Sequence, residues 1–132
     1  MSELYLQQTA ILPKYTCPII SIGLGGIVHD AHYPAYKIAG FKVYGGFDLN
    51  RDRALMMQNK FDIPVIYQTL QEAVNLSPDN AIFDVAVPGN TIVDILKQLP
   101  DGSAVLIQKP MGDDLNEARK ILQICQQKQL IA

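Results

Sequence analysis

The sequence predicts an α/β fold, a doubly wound and mostly parallel sheet with strand order 3-2-1-4-5 and helices on both faces. Short β-rich runs alternate along the chain with segments of helical periodicity. The β-rich runs are almost continuously apolar, which is typical of parallel strands that are covered on both faces. The length of 132 residues suits one domain of ordinary size.

Five apolar runs are predicted to form the strands. They span residues 18–22, 41–47, 65–67, 82–87 and 104–107, and residues 130–132 begin a sixth. Two glycines loosen the second of these strands, because a strand glycine has no side chain to pack. Residues 1–17 are interpreted as an N-terminal extension, so that residues 18–132 form the domain.

Polar residues indicate where the intervening helices begin. The first helix is predicted at about residues 27–39, with Pro34 in its first turns or at a bend. Asn50 supplies an N-cap for the second helix, and Thr69 with Glu72 forms a capping box for the third. The last helix is predicted to start at Asp113 or Asp114, with Glu117 completing a second capping box.

Apolar residues at helical spacing predict which faces of three helices are buried. These faces are Ala54, Met57 and Phe61 in the second helix, Ile92, Ile95, Leu96 and Leu99 in the fourth, and Leu115, Ala118, Ile121, Leu122 and Cys125 in the last.

Composition excludes several functional classes. The chain is 48% hydrophobic and 18% charged, with a net charge of −2 and no basic stripe, which disfavours a nucleic-acid partner. No run is long and apolar enough to predict a membrane span, and Glu3 makes the N-terminus a poor secretory signal. Cys17 and Cys125 lie far apart without metal-type spacing, so we expect reduced thiols in a cytoplasmic protein and no metal site.

A glycine-rich turn between the first strand and the first helix is the strongest local signal. It reads Gly23-Leu24-Gly25-Gly26-Ile27, followed by Val28. A pyrophosphate is bound by backbone N–H groups at a helix N-terminus where no Cβ intervenes, and these glycines meet that need. Val28 occupies the third small position of the dinucleotide pattern, which is therefore incomplete.

Asp48 ends the second strand, where a carboxylate can accept a hydrogen bond from a ribose 2′-hydroxyl. A carboxylate there repels a 2′-phosphate, so Asp48 favours NAD over NADP, while Arg51 keeps NADP open. The alternative for Asp48 is a capping residue ahead of Asn50.

The ends of the fourth and fifth strands carry a second group of candidates. Val87, Pro88 and Asn90 follow the fourth strand, and Gln108 and Lys109 follow the fifth. In a doubly wound sheet the ligand crevice opens at these ends. Lys109 is thus a candidate catalytic residue that polarises or protonates a substrate oxygen; the alternative is a solvated lysine at a strand end.

Four segments together resemble the Gfo/Idh/MocA oxidoreductases. They are Gly23-Leu24-Gly25-Gly26-Ile27, His32-Tyr33-Pro34-Ala35, Phe47-Asp48 and Lys109-Pro110, and the resemblance covers roughly residues 18–132. It implies an N-terminal Rossmann domain in which Gly23, Gly25 and Ile27 border the pyrophosphate. It further implies that Asp48 contacts the adenosine ribose and that Lys109 lies beside the nicotinamide and the substrate.

Members of this family also have a C-terminal α/β domain, which we expect to be missing from this chain. Most act on a secondary alcohol of a sugar or polyol, so the resemblance implies an NAD(P)-dependent dehydrogenase as the parent protein and a chain that does not turn over substrate alone. Three residues depart from the family pattern: Gln108 replaces a glutamate, and Val87 and Ile92 occupy the usual Thr and His positions.

Two other classes remain open. The departures at the nicotinamide end favour, as an alternative, a non-catalytic dinucleotide-sensing or regulatory protein of the same fold. A methyltransferase shares the glycine loop and the acidic residue, but the H-x-P and K-P segments disfavour it. We also expect a homo-oligomer, because the fifth strand or the last helix would present an apolar edge.

Overall fold

Five parallel strands form the centre of the molecule. The computed structural model describes residues 9–132. Its strands are β1 (Ile19–Ile22), β2 (Val43–Phe47), β3 (Val65–Ile66), β4 (Ile82–Val85) and β5 (Ala104–Ile107). They lie in the order β3-β2-β1-β4-β5, and every neighbouring pair is parallel, which confirms the predicted doubly wound topology.

The sixth strand begins at one position only. Ile131 forms a parallel bridge with Ala104, and its carbonyl accepts a hydrogen bond from Val105 N at 2.8 Å. The predicted limits of the fifth strand are confirmed, whereas the second and fourth strands were predicted too long, since β2 begins at Val43 and β4 ends at Val85. Residues 9–18 contain no helix or strand.

Helices connect the strands on both faces of the sheet. They are α1 (Tyr33–Ala39), α2 (Arg51–Phe61), α3 (Leu70–Asn75), α4 (Ile92–Gln98) and α5 (Leu115–Gln127), and a 3₁₀ turn at Gly89–Thr91 precedes α4. None of the helices within residues 9–132 has the length and apolar character needed to cross a membrane.

The first helix differs from the regular helix predicted over residues 27–39. A π-helical turn spans Val28–His32, in which the N–H of Tyr33 bonds the carbonyl of Val28 five residues back, and α1 continues from it. Pro34 explains the wider turn, because proline has no N–H to donate and its ring collides with a carbonyl four residues earlier in a regular α-helix. Pro34 therefore lies inside the helical segment.

The predicted N-caps are confirmed. Asn50 and Thr69 each accept a hydrogen bond from the backbone N–H three residues later, at the starts of α2 and α3. Asp114, and not Asp113, caps α5 by accepting from Glu117 N at 2.8 Å. The Glu117 carboxylate in turn accepts from Asp113 N, one residue before the position expected in a standard capping box.

Two apolar clusters fill the space between the sheet and the helices. One lies beneath α3, α4 and α5 and contains the whole predicted face of α4: Ile92, Ile95, Leu96 and Leu99. The other lies beneath α1 and α2 and contains Leu24, Val28, Tyr33, Ala54, Met57 and Ile63.

The predicted apolar face of α5 is partly wrong. Leu115 and Leu122 are 66% and 52% exposed, whereas Ile121 and Ile124 are buried. Because α5 lies at the edge of the sheet against α4, it buries a narrower stripe than a helix covered on both sides would, and Ile124 takes the place expected for Leu122.

Two polar residues are fully buried within this apolar interior. Ser21 of β1 and Asp84 of β4 are register partners, and both are 0% exposed. Tyr36 of α1 donates its hydroxyl to Asp84 Oδ2 at 2.9 Å. Burial raises the pKa of Tyr33 and of Tyr36 above the ordinary value of 10.0, and the Asp84 charge adds to this rise.

We therefore expect Tyr33 and Tyr36 to ionise late in an alkaline titration of phenolate absorbance. Their contribution to stability is complete below pH 10 and falls as pH rises above it, because the unfolded chain there releases phenol protons that the folded chain keeps. Changing both residues to Phe should remove the late absorbance component and flatten the fall of the unfolding free energy in urea titrations. An identical alkaline profile for the double variant would contradict this assignment.

Candidate functional site

The glycine turn passes directly over the end of β4. Gly23 has a φ of +89° and donates its N–H to Phe47 O at 2.8 Å. A Cβ on Gly23 would collide with the carbonyl oxygen of Ala86 and would lie 2.9 Å from a methyl group of Val87. Glycine is therefore required here by the backbone conformation and by the close approach of the two strand ends.

Gly25 and Gly26 border open space instead. Apart from the adjoining residues and the backbone of the helix itself, no atom lies within 4 Å of the position that a Cβ would occupy on either residue. The Gly25 carbonyl accepts from Val28 N and His29 N, so the first helix starts immediately after the turn, and the neighbouring Ile27 is 42% exposed. An unobstructed backbone at a helix N-terminus fits the phosphates of a dinucleotide.

Asp48 joins the glycine turn to the start of α2. Its Oδ2 accepts from Leu24 N at 2.8 Å, and its Oδ1 accepts from Asn50 N at 2.7 Å. The side chain is only 7% exposed. Each carboxylate oxygen can accept more than one hydrogen bond, so these structural contacts do not exhaust the acceptor capacity of Asp48.

The two arginines of α2 point to different partners. Arg51 lies beside Gln68, whose amide oxygen accepts from its guanidinium at 2.9 and 3.2 Å in the orientation that satisfies both groups. Arg53 instead reaches Asp48 Oδ2 at 3.4 Å. Sequence reasoning had considered Arg51 alone; the helical spacing from the cap at Asn50 places Arg53 on the side that faces Asp48.

The residues after β4 divide between two surfaces. Val87 contacts Gly23 on the glycine-turn side, and Ile92 is fully buried at the start of α4. Pro88 uses its carbonyl to accept from the backbone and hydroxyl of Thr91, which shapes the 3₁₀ turn. Asn90 is exposed and lines the groove between α4 and α5. The cofactor roles of Val87, Pro88 and Asn90 stay predictions.

The residues after β5 continue toward the same edge of the sheet. Gln108 N donates to Val85 O at 3.0 Å, and the following Lys109 is exposed, with a cis peptide bond to Pro110. Within residues 9–132 the Lys109 ammonium makes no ion pair or hydrogen bond, so it is available to a ligand. Its catalytic role stays a prediction.

A buried cluster that the sequence reasoning missed lies below these ends. His32 Nδ1 is 2.8 Å from Asp84 Oδ2, and His32 Nε2 is 2.8 Å from the Gln108 amide nitrogen. The available signal was Asp84 itself, a charged residue in the middle of the apolar run Ile82–Val85. A buried carboxylate requires hydrogen-bond donors. In an α/β fold these donors come from a helix packed on the sheet, and here the first helical segment provides them.

The shared strand edge brings most candidates together. The glycine turn, Asp48, Val87 and Lys109 all follow the carboxyl ends of parallel strands, on either side of the switch between β1 and β4. Among the described residues no group of three or more His, Cys, Asp or Glu side chains could hold a metal ion, and Cys17 and Cys125 are free thiols.

Known proteins with similar sequences or folds are consistent with this geometry. The uncharacterized protein YMR315W of Saccharomyces cerevisiae is 30% identical over 110 residues, which cover 80% of this chain and 31% of the yeast protein. The WlbA dehydrogenase of Bordetella pertussis, solved in complex with NADH and UDP-GlcNAcA, matches with a TM-score of 0.72 and 13% identity over 88% of this chain and 36% of its own. The myo-inositol 2-dehydrogenase of Lactobacillus plantarum matches with a TM-score of 0.68 and 18% identity over 86% of this chain and 34% of its own.

The chain thus spans about a third of the length of each of these proteins. The two structural matches show the fold. A family model described as an oxidoreductase family with an NAD-binding Rossmann fold matches residues 19–132, which is nearly the whole chain. The chain therefore belongs to the Gfo/Idh/MocA oxidoreductases, of which it carries the NAD-binding Rossmann fold.

Proposed function

We propose that this chain binds NAD(H), in preference to NADP(H), in the crevice over the carboxyl ends of β1 and β4. The observation that carries the proposal is the open backbone at Gly25 and Gly26 beside a carboxylate, Asp48, that is held on both oxygens. The glycines leave room for the pyrophosphate, with Ile27 at its border. Asp48 accepts from the adenosine ribose and repels a 2′-phosphate.

The nicotinamide half lies, in this proposal, toward the ends of β4 and β5. Val87, Pro88, Asn90 and Gln108 border it, and Lys109 faces the substrate. When bound, the cofactor supplies hydride transfer to or from the carbinol carbon of a secondary alcohol. Lys109 holds a proton at Nζ near the substrate oxygen, where it stabilises negative charge as that oxygen gains or loses a proton.

A sugar or polyol is the proposed substrate class of the parent oxidoreductase. The support is indirect: one structural match is a myo-inositol 2-dehydrogenase and another holds NADH with UDP-GlcNAcA. Because the chain spans about a third of such proteins, we propose that it holds the cofactor and does not turn over substrate alone. A cytoplasmic location belongs to the same proposal and is supported by the free thiols Cys17 and Cys125.

A non-catalytic, dinucleotide-sensing role is the second candidate. One observation favours it: the Gln108 side chain, a glutamate in most of the family, is neutral and is already engaged by His32 and by the Lys109 amide. Hydride transfer by the parent protein from NADH to the keto form of a sugar or polyol, abolished by Lys109→Ala, would reject the sensing role.

Two glycines of the turn differ in their surroundings, and substitutions at them test the proposed phosphate site. Gly25→Ala should fold normally, because its Cβ meets no atom within 4 Å, yet it should weaken NADH binding about tenfold or more by entering the phosphate space. Gly23→Ala should instead lower the melting temperature, because of its positive φ and its contact with Ala86. NADH emission on titration and thermal unfolding measure the two effects. Gly40→Ala, far from the turn, has a positive φ and an open Cβ position and serves as a control for backbone strain.

If the natural, folded chain binds neither NADH nor NADPH at millimolar concentration, the proposed function is wrong. Equal NADH affinity for Gly25→Ala and the natural chain would reject the phosphate site alone.

A substitution at Asp48 tests the proposed preference for NADH over NADPH. Asp48→Asn keeps an oxygen that can accept from Leu24 N but removes the charge that repels a 2′-phosphate. The ratio of NADH to NADPH affinity should therefore fall about tenfold, in line with the loss of one charge-assisted interaction. Asp52→Asn, at an exposed carboxylate in the first turn of α2, should leave the ratio unchanged; a fall of equal size in both variants would reject the role of Asp48.

We also propose that copies of this chain associate with one another through the β5 edge of the sheet. Leu106 and Ile131, at the β5 edge of the sheet, are 50% and 71% exposed, and such apolar surface favours contact between copies. Light scattering should show a homo-oligomer, and Leu106→Lys should shift it toward the monomer, while Ile38→Lys on α1 should not. A monomer at high concentration for the natural chain would contradict this proposal.

A further inference from the structure

A continuous series of hydrogen bonds connects the interior of the sheet with the loop that carries Lys109. Tyr36 OH donates to Asp84 Oδ2 at 2.9 Å, and His32 Nδ1 lies 2.8 Å from the same oxygen. His32 Nε2 lies 2.8 Å from Gln108 Nε2, and Gln108 Oε1 accepts from the backbone N–H of Lys109 at 2.7 Å. These groups are called the buried hydrogen-bond chain below.

The Lys109 backbone N–H, whose role as a donor is fixed, determines the proton positions along the buried hydrogen-bond chain. The Lys109 backbone N–H can only donate, so the Gln108 atom beside it must be the amide oxygen. The Gln108 amide nitrogen therefore faces His32 and donates, which requires a lone pair on His32 Nε2. A neutral imidazole then carries its proton on Nδ1 and donates it to Asp84.

Burial makes this arrangement difficult to replace. Asp84 is 0% exposed and the His32 side chain is 19% exposed. The second oxygen of Asp84 has no hydrogen-bond partner among the described residues, so Tyr36 and His32 are the groups that hold this carboxylate. Because a buried carboxylate is strongly destabilised when it loses a donor, the His32 side chain is held in the position where it donates to Asp84.

We propose that Asp84, His32 and Gln108 are positioning residues, which fix the backbone of Lys109 and thereby the place of its ammonium in the crevice. The assignment rests on the proposed function, since that position matters only beside a bound dinucleotide. His32 acts by position and not by proton transfer, because its Nε2 faces an amide N–H and carries no proton toward the site. Through Gln108, the backbone of Lys109 is connected both to Asp84 of β4 and to His32 of the first helical segment.

The first test needs no cofactor, and it reads the state of His32 directly. Nitrogen-15 NMR of the imidazole groups, with His29→Gln to assign the two histidines, should show His32 protonated at Nδ1 and unprotonated at Nε2 at neutral pH. Gln108→Glu replaces the amide donor with an acceptor, so His32 should then carry protons on both nitrogens. A proton on Nε2 of the natural chain, or an average of both tautomers, would overturn the proposal.

The second test follows the Lys109 backbone directly. His32→Ala should raise the hydrogen-exchange rate of the Lys109 amide about tenfold, while the Ile20 amide in the central strand keeps its rate. His29→Ala, at a partly buried histidine of the same helical segment that makes no hydrogen bond to the buried hydrogen-bond chain, should change neither rate. An unchanged Lys109 rate, or an equal rise at Ile20, would overturn the positioning role. If His32→Ala does not fold, Gln108→Leu provides the same comparison.

The third test links position to binding. His32→Ala should weaken NADH binding about tenfold and leave ADP-ribose binding unchanged, because only NADH extends to the Lys109 end of the crevice. Equal affinities of the variant and the natural chain for NADH would reject the positioning role. If the natural chain binds neither ligand, the proposed function fails, and the NMR result still decides the state of the buried hydrogen-bond chain.

Discussion

The contact between the ends of β1 and β4 is the constraint on which the rest of the structure depends. At this place the strand order reverses, and the two connections leave the sheet toward opposite faces. The backbone of Gly23 and the carbonyl of Ala86 approach so closely that no side chain fits between them. A side chain at Gly23 would strain the contact between the two central strands, on which both the sheet and the crevice above it depend.

Asp48 shows how one residue serves both the fold and the candidate site. Its carboxylate holds the glycine turn through Leu24 and the start of α2 through Asn50. The backbone amides that surround it supply partial positive charge, so the carboxylate is stabilised before any ligand is present. In the proposed function, a carboxylate fixed in this way discriminates between a hydroxyl and a phosphate more sharply than a mobile one, because it cannot move away from the repulsion.

The end of the crevice proposed for the nicotinamide is built differently from the Asp48 end. Its exposed candidate, Lys109, makes no side-chain bond within residues 9–132, and its backbone is held from below by Gln108. The support comes from Asp84 in the middle of β4 and from His32 on the first helix, beside the π-helical turn that accommodates Pro34. The departure from the family's usual glutamate at Gln108 therefore changes the polarity of this support, because an amide can donate to His32 and a carboxylate cannot.

The sequence by itself determined the order of strands and helices, the caps at Asn50 and Thr69, and the glycine turn. These features depend on local periodicity and on short-range hydrogen bonds, which neighbouring residues specify. Only the tertiary structure decided which α5 residues are buried, that Arg53 and not Arg51 contacts Asp48, and that His32 and Asp84 meet. Those outcomes depend on residues far apart in the chain, and on how much of each helix the edge of the sheet covers, which periodicity along one segment does not contain.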